Sequence, residues 1–269
     1  MSAWNDFLES MSKARDEIKC SKSGAWYRGL SSAEWELLPK LFRKLYKPDA
    51  EANIYRAYLR TRMANPEANS WFNLIDMQHY GIPTRLLDWT ESFAVALYFA
   101  IENSKGEPDS PCIWVLNPFT LACRARKNNN KSLGDFHLDP EMDYYRRFIK
   151  DRNWPYDYPM PFYSPTPNER IMAQRGFFTI HGNDPRPLEK TCARHVRKVI
   201  IPKEAIPEAR VFLKMAGIDH DTLFPDTEGW LKRVERDYFY SPEELAAQHA
   251  AQADPAPLGR FAPSLRGAA

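Results

Sequence analysis

The segment that most constrains this chain is Phe93-Ala94-Val95-Ala96-Leu97-Tyr98-Phe99-Ala100-Ile101, which carries no charge and is apolar on every face of a helix. A surface helix needs a polar side, so this one belongs at the centre of a domain, covered all round by other elements. The chain has the means to cover it. Of its 269 residues, 43% are hydrophobic and 13% aromatic, and each buried ring removes roughly 150–250 Å² from water. That is the make-up of a folded globular protein, not of a disordered or fibrous one.

Charge narrows the partners. The 37 basic and 35 acidic side chains leave a formal net charge of +2, too little for a global field that draws a protein onto nucleic acid or an anionic membrane. Cys20, Cys112, Cys123 and Cys192 form no C-x-x-C pair, and the histidines share no ligand spacing. This argues against a zinc site, so no metal is expected, and for reduced thiols in a cytoplasmic setting. The opening residues are broken by Asp6, Glu9, Lys13, Arg15, Asp16 and Glu17, which suits neither a signal peptide nor a membrane span.

Periodicity outlines the rest. Trp4, Phe7, Leu8, Met11, Ala14 and Ile18 mark an amphipathic N-terminal helix within 1–21. Helical spacing recurs over 48–64 and 70–79, and again over 204–216 and 226–238. Ala25–Gly29, Cys112–Leu116, Gly176–His181 and Val196–Ile201 read as strands, and Thr84–Trp89 as an extended connection. Residues 124–168, rich in Asn, Pro, Tyr and charge, read as a long irregular insertion able to act as a lid. The expected fold is α+β, a split mixed or antiparallel sheet with packed helices. The main domain spans 22–240, and 241–269 is expected to be a disordered Ala/Pro-rich tail.

Phosphate-binding glycine loops, the dinucleotide fingerprint, the nucleophile elbow and the H-E-x-x-H helix are all missing from the sequence. What stands out instead is polar chemistry set in apolar or glycine-punctuated segments: Tyr27-Arg28-Gly29, then the run from Gln78 to Trp89, then Arg170 and Gln174 ahead of Gly176-Phe177. Buried polar groups of this kind need partners.

Trp26-Tyr27-Arg28-Gly29, QHYGIPTRLLDWTESFAVALYFA, ERIMAQRGFFTIH and GIDHDTLFPDTEGW together resemble the FRG domain family, named for its (Phe/Tyr)-Arg-Gly motif. The resemblance runs from about residue 22 to 236. It implies a bacterial or phage setting, with a toxin or phage-defence role. A weaker resemblance is to the ADP-ribosyltransferase fold, which has an Arg or His on a first strand, a Ser/Thr-bearing or aromatic strand running into an apolar helix, and a Glu, Asp or Gln on a late strand. Arg28, the Thr84–Trp89 segment and Gln174 look like those three stations.

That second resemblance implies NAD or a related nucleotide as ligand and an unidentified macromolecular acceptor; the near-neutral charge and the lack of an apolar span argue against a membrane or nucleic acid as partner. Arg28, Thr84 and Gln174 would be the catalytic residues. Arg28, Gly29, His79, Tyr80, Thr84 and Arg85 would bind the nucleotide. A guanidinium offers a planar fork of donors to phosphate or ribose oxygens. Cleaving the nicotinamide bond builds positive charge on the ribose, which a carboxylate stabilises and an amide can only help orient. Glu169 is the charged alternative to Gln174, but five residues apart on an extended strand the two would face opposite ways.

Plainer roles compete with these. Arg28 suits a structural arginine paired with Asp88 or with carbonyls, and Asp88, flanked by apolar residues, reads as a buried carboxylate paired with Arg85 or Arg28. Without a ligand, NAD-using chemistry gives way to a non-catalytic module that recognises a protein or nucleic acid. The basic run Arg124–Lys131 can touch phosphate or RNA, although such runs are usually solvated faces.

Overall fold

A computed structural model describes residues 2–20, 24–43, 49–61, 69–102, 110–165 and 168–239. They fall into two compact units, Met1–Pro225 and Asp226–Ala269. In chain order, the first holds helix α1 (Ala3–Glu17), strand β1 (Trp26–Leu30), α2 (Ala50–Leu59), α3 (Ser70–His79), β2 (Leu86–Thr90), α4 (Phe93–Glu102), β3 (Cys112–Leu116) and α5 (Pro118–Arg126). It continues with β4 (Met160–Phe162), α6 (Glu169–Ala173), β5 (Gly176–Ile180), α7 (Leu188–Thr191), β6 (Val196–Ile200), α8 (Ile206–Met215) and α9 (His220–Leu223). The second unit contains α10 (Thr227–Tyr238), capped by the Asp226 side chain, which accepts from Gly229 N at 2.9 Å. The tail expected at 241–269 lies outside the described residues.

The fold is α+β. One open six-stranded sheet runs in the order β4-β5-β2-β1-β3-β6, and every pairing between these strands is antiparallel, not mixed. Its strands are not equally joined. β1 pairs with β3 through all five of its residues, and β2 pairs with β5 through all five of its own. Across the β1–β2 seam only Tyr27 and Thr90 are paired. The sheet is therefore pinched in the middle, and beyond that pair the two strands have lost the ladder bonds that hold neighbours about 4.8 Å apart.

Strand alternation divides the core. Tyr27, Ile113 and Val115 face α1, α4 and α8, whereas Trp26, Trp114 and Leu116 pack with Leu121, Leu188 and Cys192 against the opposite face. The all-apolar α4 is covered as its sequence demands: Ala96, Leu97 and Ala100 are fully buried. β1 lies so close to it that a Cβ on Gly29 would stand 1.8 Å from the Ala96 carbonyl oxygen. That close approach explains why glycine follows Arg28. Burial of α1 through Trp4, Phe7 and Met11 ties the N-terminal helix into the same core.

Residues 124–168 differ from the expected lid. Apart from 166–167, which are not described, they form short 3-10 turns, a π-helical turn at Tyr145–Lys150, and the edge strand β4. Phe136, Tyr144, Phe148 and Phe162 are buried with Trp71 and Leu74 of α3 in a core of their own. The segment is a wall of the domain.

Candidate ligand-binding cleft

A cleft of about 600 Å³ opens where the sheet is pinched. β1 supplies Tyr27 to Leu30, β2 supplies Asp88 to Thr90, and β5 supplies Gly176 to Phe178. Helices close the sides: α3 through Gln78 and His79, α4 through Ala96 and Phe99, and α6 through Arg170, with Gln174 at its C-cap. This volume is in the range that small ligands and cofactors occupy, roughly 300–1,000 Å³, and the mixture of aromatic walls with a few polar groups is typical of such sites.

The polar groups form one connected relay. Arg28 Nη1 crosses the seam and donates to the Asp88 carbonyl at 2.7 Å and to its carboxylate at 3.4 Å. Gln78 Nε2 donates to both carboxylate oxygens of Asp88, each at 3.0 Å. The Thr84 hydroxyl donates to Gln78 Oε1 and accepts from Leu86 N at 3.2 Å. Thr84 thus fixes which end of the Gln78 amide faces Asp88. The Asp88 side chain is 54% exposed and Arg28 only 17%, so the carboxylate is presented to the cleft while the guanidinium is clamped at its edge.

Of the two partners expected for Asp88, Arg28 and not Arg85 is the one it meets, and the carboxylate is exposed to the cleft where burial was expected. Leu87 and Trp89 point to the other face of β2, where they are buried, and say nothing about the face Asp88 occupies. Among the described residues, it is the single acidic side chain lining the cleft. Arg28 and Arg170 are the cations there, with the Arg170 guanidinium 5.0 Å from the centre of the Phe224 ring. The field of Arg28 reaches Arg43, whose pKa is lowered by burial first and by Arg28 second.

Gln174 lines the cleft, but it is not on a strand. It caps α6, whose first turn is held by the Asn168 side chain accepting from Ile171 N at 2.7 Å. Gln174 Nε2 donates to the Leu223 carbonyl at 3.1 Å, and its own carbonyl accepts from the Thr90 hydroxyl at 2.7 Å. Glu169 sits in the first turn of that helix and is not part of the lining, so the strand-parity comparison between the two does not apply.

Of the remaining expected binding residues, His79 and Gly29 line the cleft and three do not. Thr84 is buried beneath it, acting only through Gln78. Tyr80 is about half exposed and sets its ring edge-on to His79 at 4.9 Å. Arg85 is buried elsewhere. Its Nε donates to Glu51 Oε1 at 2.6 Å, its Nη2 pairs with Glu51 Oε2, and its Nη1 donates to the His181 and Gly182 carbonyls, each at 2.7 Å. With Phe148 4.0 Å beneath the guanidinium and Tyr144 donating to Glu51 at 2.8 Å, every face of Arg85 is occupied by protein.

The aromatic walls were not singled out by the sequence. Phe177 stacks on Trp26 at 4.6 Å and 17°, which stiffens one side of the cleft, and Phe99 meets Phe224 edge-on at 6.0 Å on another. No curated protein and no solved structure matches the chain. A family model does match, the FRG domain, over residues 23–109. That stretch holds β1, α3, β2 and α4, and with them the Arg28–Asp88–Gln78–Thr84 relay, whereas the α6 and β5 walls come from beyond it. Through residues 23–109, the chain carries an FRG domain.

Proposed function

We propose that this is a nucleotide-binding, ADP-ribosyltransferase-like protein that takes NAD into the cleft at the β1–β2 seam. The observation that carries this is the convergence of Arg28, Asp88 and Gln174, from widely separated parts of the chain, on one concavity with aromatic walls. The order of the sheet adds support: β5, β2 and β1 are consecutive neighbours, and β2 runs straight into the apolar α4.

The roles follow from the donors and charges. Arg28 and Arg170 answer the pyrophosphate, Arg28 from an edge position where Asp88 fixes its orientation. Phe177 and Phe99 offer ring faces to the nicotinamide and adenine. Gln174, with its Nε2 committed to Leu223, turns an acceptor oxygen to a ribose hydroxyl. Asp88 supplies the full negative charge that Gln174 lacks, opposite the positive charge that grows on the ribose as the glycosidic C–N bond breaks. Nicotinamide leaves with the bonding electron pair. A nucleophile of the macromolecular acceptor forms the new bond to the ribose and gives up its proton.

Incubating the purified chain with labelled NAD and a cell lysate tests this. Nicotinamide release and label transfer should be present in the wild type and fall by about a hundredfold or more in Arg28→Ala and Asp88→Asn variants that remain folded. Equal background from all three would remove the enzymatic reading. NAD binding without turnover would leave a non-catalytic nucleotide-recognition module.

A further inference from the structure

A second cavity, of about 920 Å³, shares no residue with the cleft. Its walls are the end of α5 with the turn at Lys127–Asn129, and α7 with the 3-10 turn at Ala193–His195. Arg124, Lys127, Lys190 and Arg194 bring permanent cations to it, and among the described residues no Asp or Glu lines it. Basic residues at a helix C-terminus are favoured by the carbonyls there. That covers Arg124 and Lys127 at the end of α5 and Lys190 in the last turn of α7, whereas Arg194 is brought beside them by the 3-10 turn that follows. Like charges gathered into one concavity repel, and their field is felt at His195, whose pKa is lowered by burial first and then by Arg124 and Arg194.

The four cations are not equivalent. Lys127 pairs with Asp157 at 2.6 Å and Lys190 with Glu36 at 2.5 Å, both carboxylates standing outside the lining. Among the described residues Arg124 has no carboxylate partner: its guanidinium stacks 4.1 Å from the Tyr158 ring centre and donates to that hydroxyl. Arg194 makes no hydrogen bond or ion pair with the described residues. Among the described residues, the charge without an acidic partner is thus concentrated on two exposed guanidinium groups that line the cavity.

We propose that this cavity is a binding site for a compact phosphate-bearing anion, held by Arg124 and Arg194. Planar guanidinium forks match phosphate oxygens, and two of them can share one di-anionic group. Asp157 and Glu36 favour a compact ligand over a nucleic-acid strand, because their carboxylates would repel a phosphodiester backbone continuing past the cavity. This is independent of what the cleft binds.

Titration calorimetry of the full chain with inorganic pyrophosphate at low salt is the test, with NAD and a single-stranded oligonucleotide as parallel arms. Saturable pyrophosphate binding is expected with the cleft pre-saturated by NAD, weakened about tenfold or more in Arg194→Gln. Among the described residues Arg194 has no hydrogen-bond or ion-pair partner to lose, so that variant keeps its fold. The His195 ring resonances should move on adding pyrophosphate in the wild type and not in Arg194→Gln. Absence of saturable binding, pyrophosphate binding that is displaced by NAD, an unaffected Arg194→Gln, or oligonucleotide binding tighter than pyrophosphate would each overturn the assignment.

Discussion

The Arg28 guanidinium reaches across the sheet to the main-chain carbonyl of Asp88, 2.7 Å away, where a neighbouring strand would ordinarily bring an amide. A side chain has taken the place of a ladder bond. The pinch between β1 and β2 is kept open by this substitution, since the carbonyl is satisfied without the strands closing. Arg28→Ala should therefore cost about 2 kcal/mol of stability, the worth of a hydrogen bond from a charged donor. Urea unfolding of the variant measures that loss; an unchanged midpoint would mean that Asp88 finds another donor.

Gly29 is required by packing. Gly29→Ala puts a methyl group into the Ala96 carbonyl oxygen of α4, and overpacking of this kind costs about 3 kcal/mol or more when the neighbour is backbone. Gly217 is the contrast. Its φ is +65° with nothing within 4 Å of a built Cβ, so Gly217→Ala should cost only about 1 kcal/mol of backbone strain. Equal losses in the two variants would show that β1 and α4 can separate cheaply.

Arg85 is predicted to be structural. Removing one partner of a buried, hydrogen-bonded pair leaves the other charge unanswered at a cost of about 3–5 kcal/mol, so Arg85→Met should be far less stable than the double variant Arg85→Met, Glu51→Leu. Thermal unfolding of both distinguishes this from a ligand-binding role, in which the single variant would fold normally and lose affinity alone.

His181 sets an acid limit. It is fully buried, and burial first, then the charges of Arg85 and Arg28, lower its pKa from 6.5 to about 3. Between those values the unfolded chain binds a proton that the folded chain refuses. The stabilisation is complete above pH 6.5 and declines as pH falls toward 3, by at most about 1.4 kcal/mol per pH unit. Unfolding free energies at pH 7 and pH 5 should differ more in the wild type than in His181→Gln. Parallel declines would assign the acid sensitivity to other groups.

Much of the scaffold could be read from the chain because single elements carried clean signals. The run at 93–101 demanded a central helix and became α4; 70–79 and 112–116 appear with their expected limits as α3 and β3. The cleft was harder. The exposure of Asp88 is not legible from Leu87 and Trp89, which on a strand report the opposite face. The helix that Gln174 caps leaves little trace in the sequence because α6 is only five residues long, too short for periodicity; Asn168 before Glu169 is its one legible sign, an N-cap. Residues 124–168 hid a core because 3-10 and π turns have no 3.6-residue repeat, though the spacing of Phe136, Tyr144, Phe148 and Trp154 announced large apolar surface.

The crystal structure of the chain grown with NAD tests the cleft most directly. A dinucleotide should lie between β1, β2 and α6, with phosphate or ribose oxygens about 2.7–3.2 Å from Arg28 nitrogens and the nicotinamide ribose beside Asp88. A cleft left without dinucleotide at saturating NAD, or a dinucleotide bound elsewhere with the Arg28–Asp88–Gln78 bonds unchanged, would contradict it.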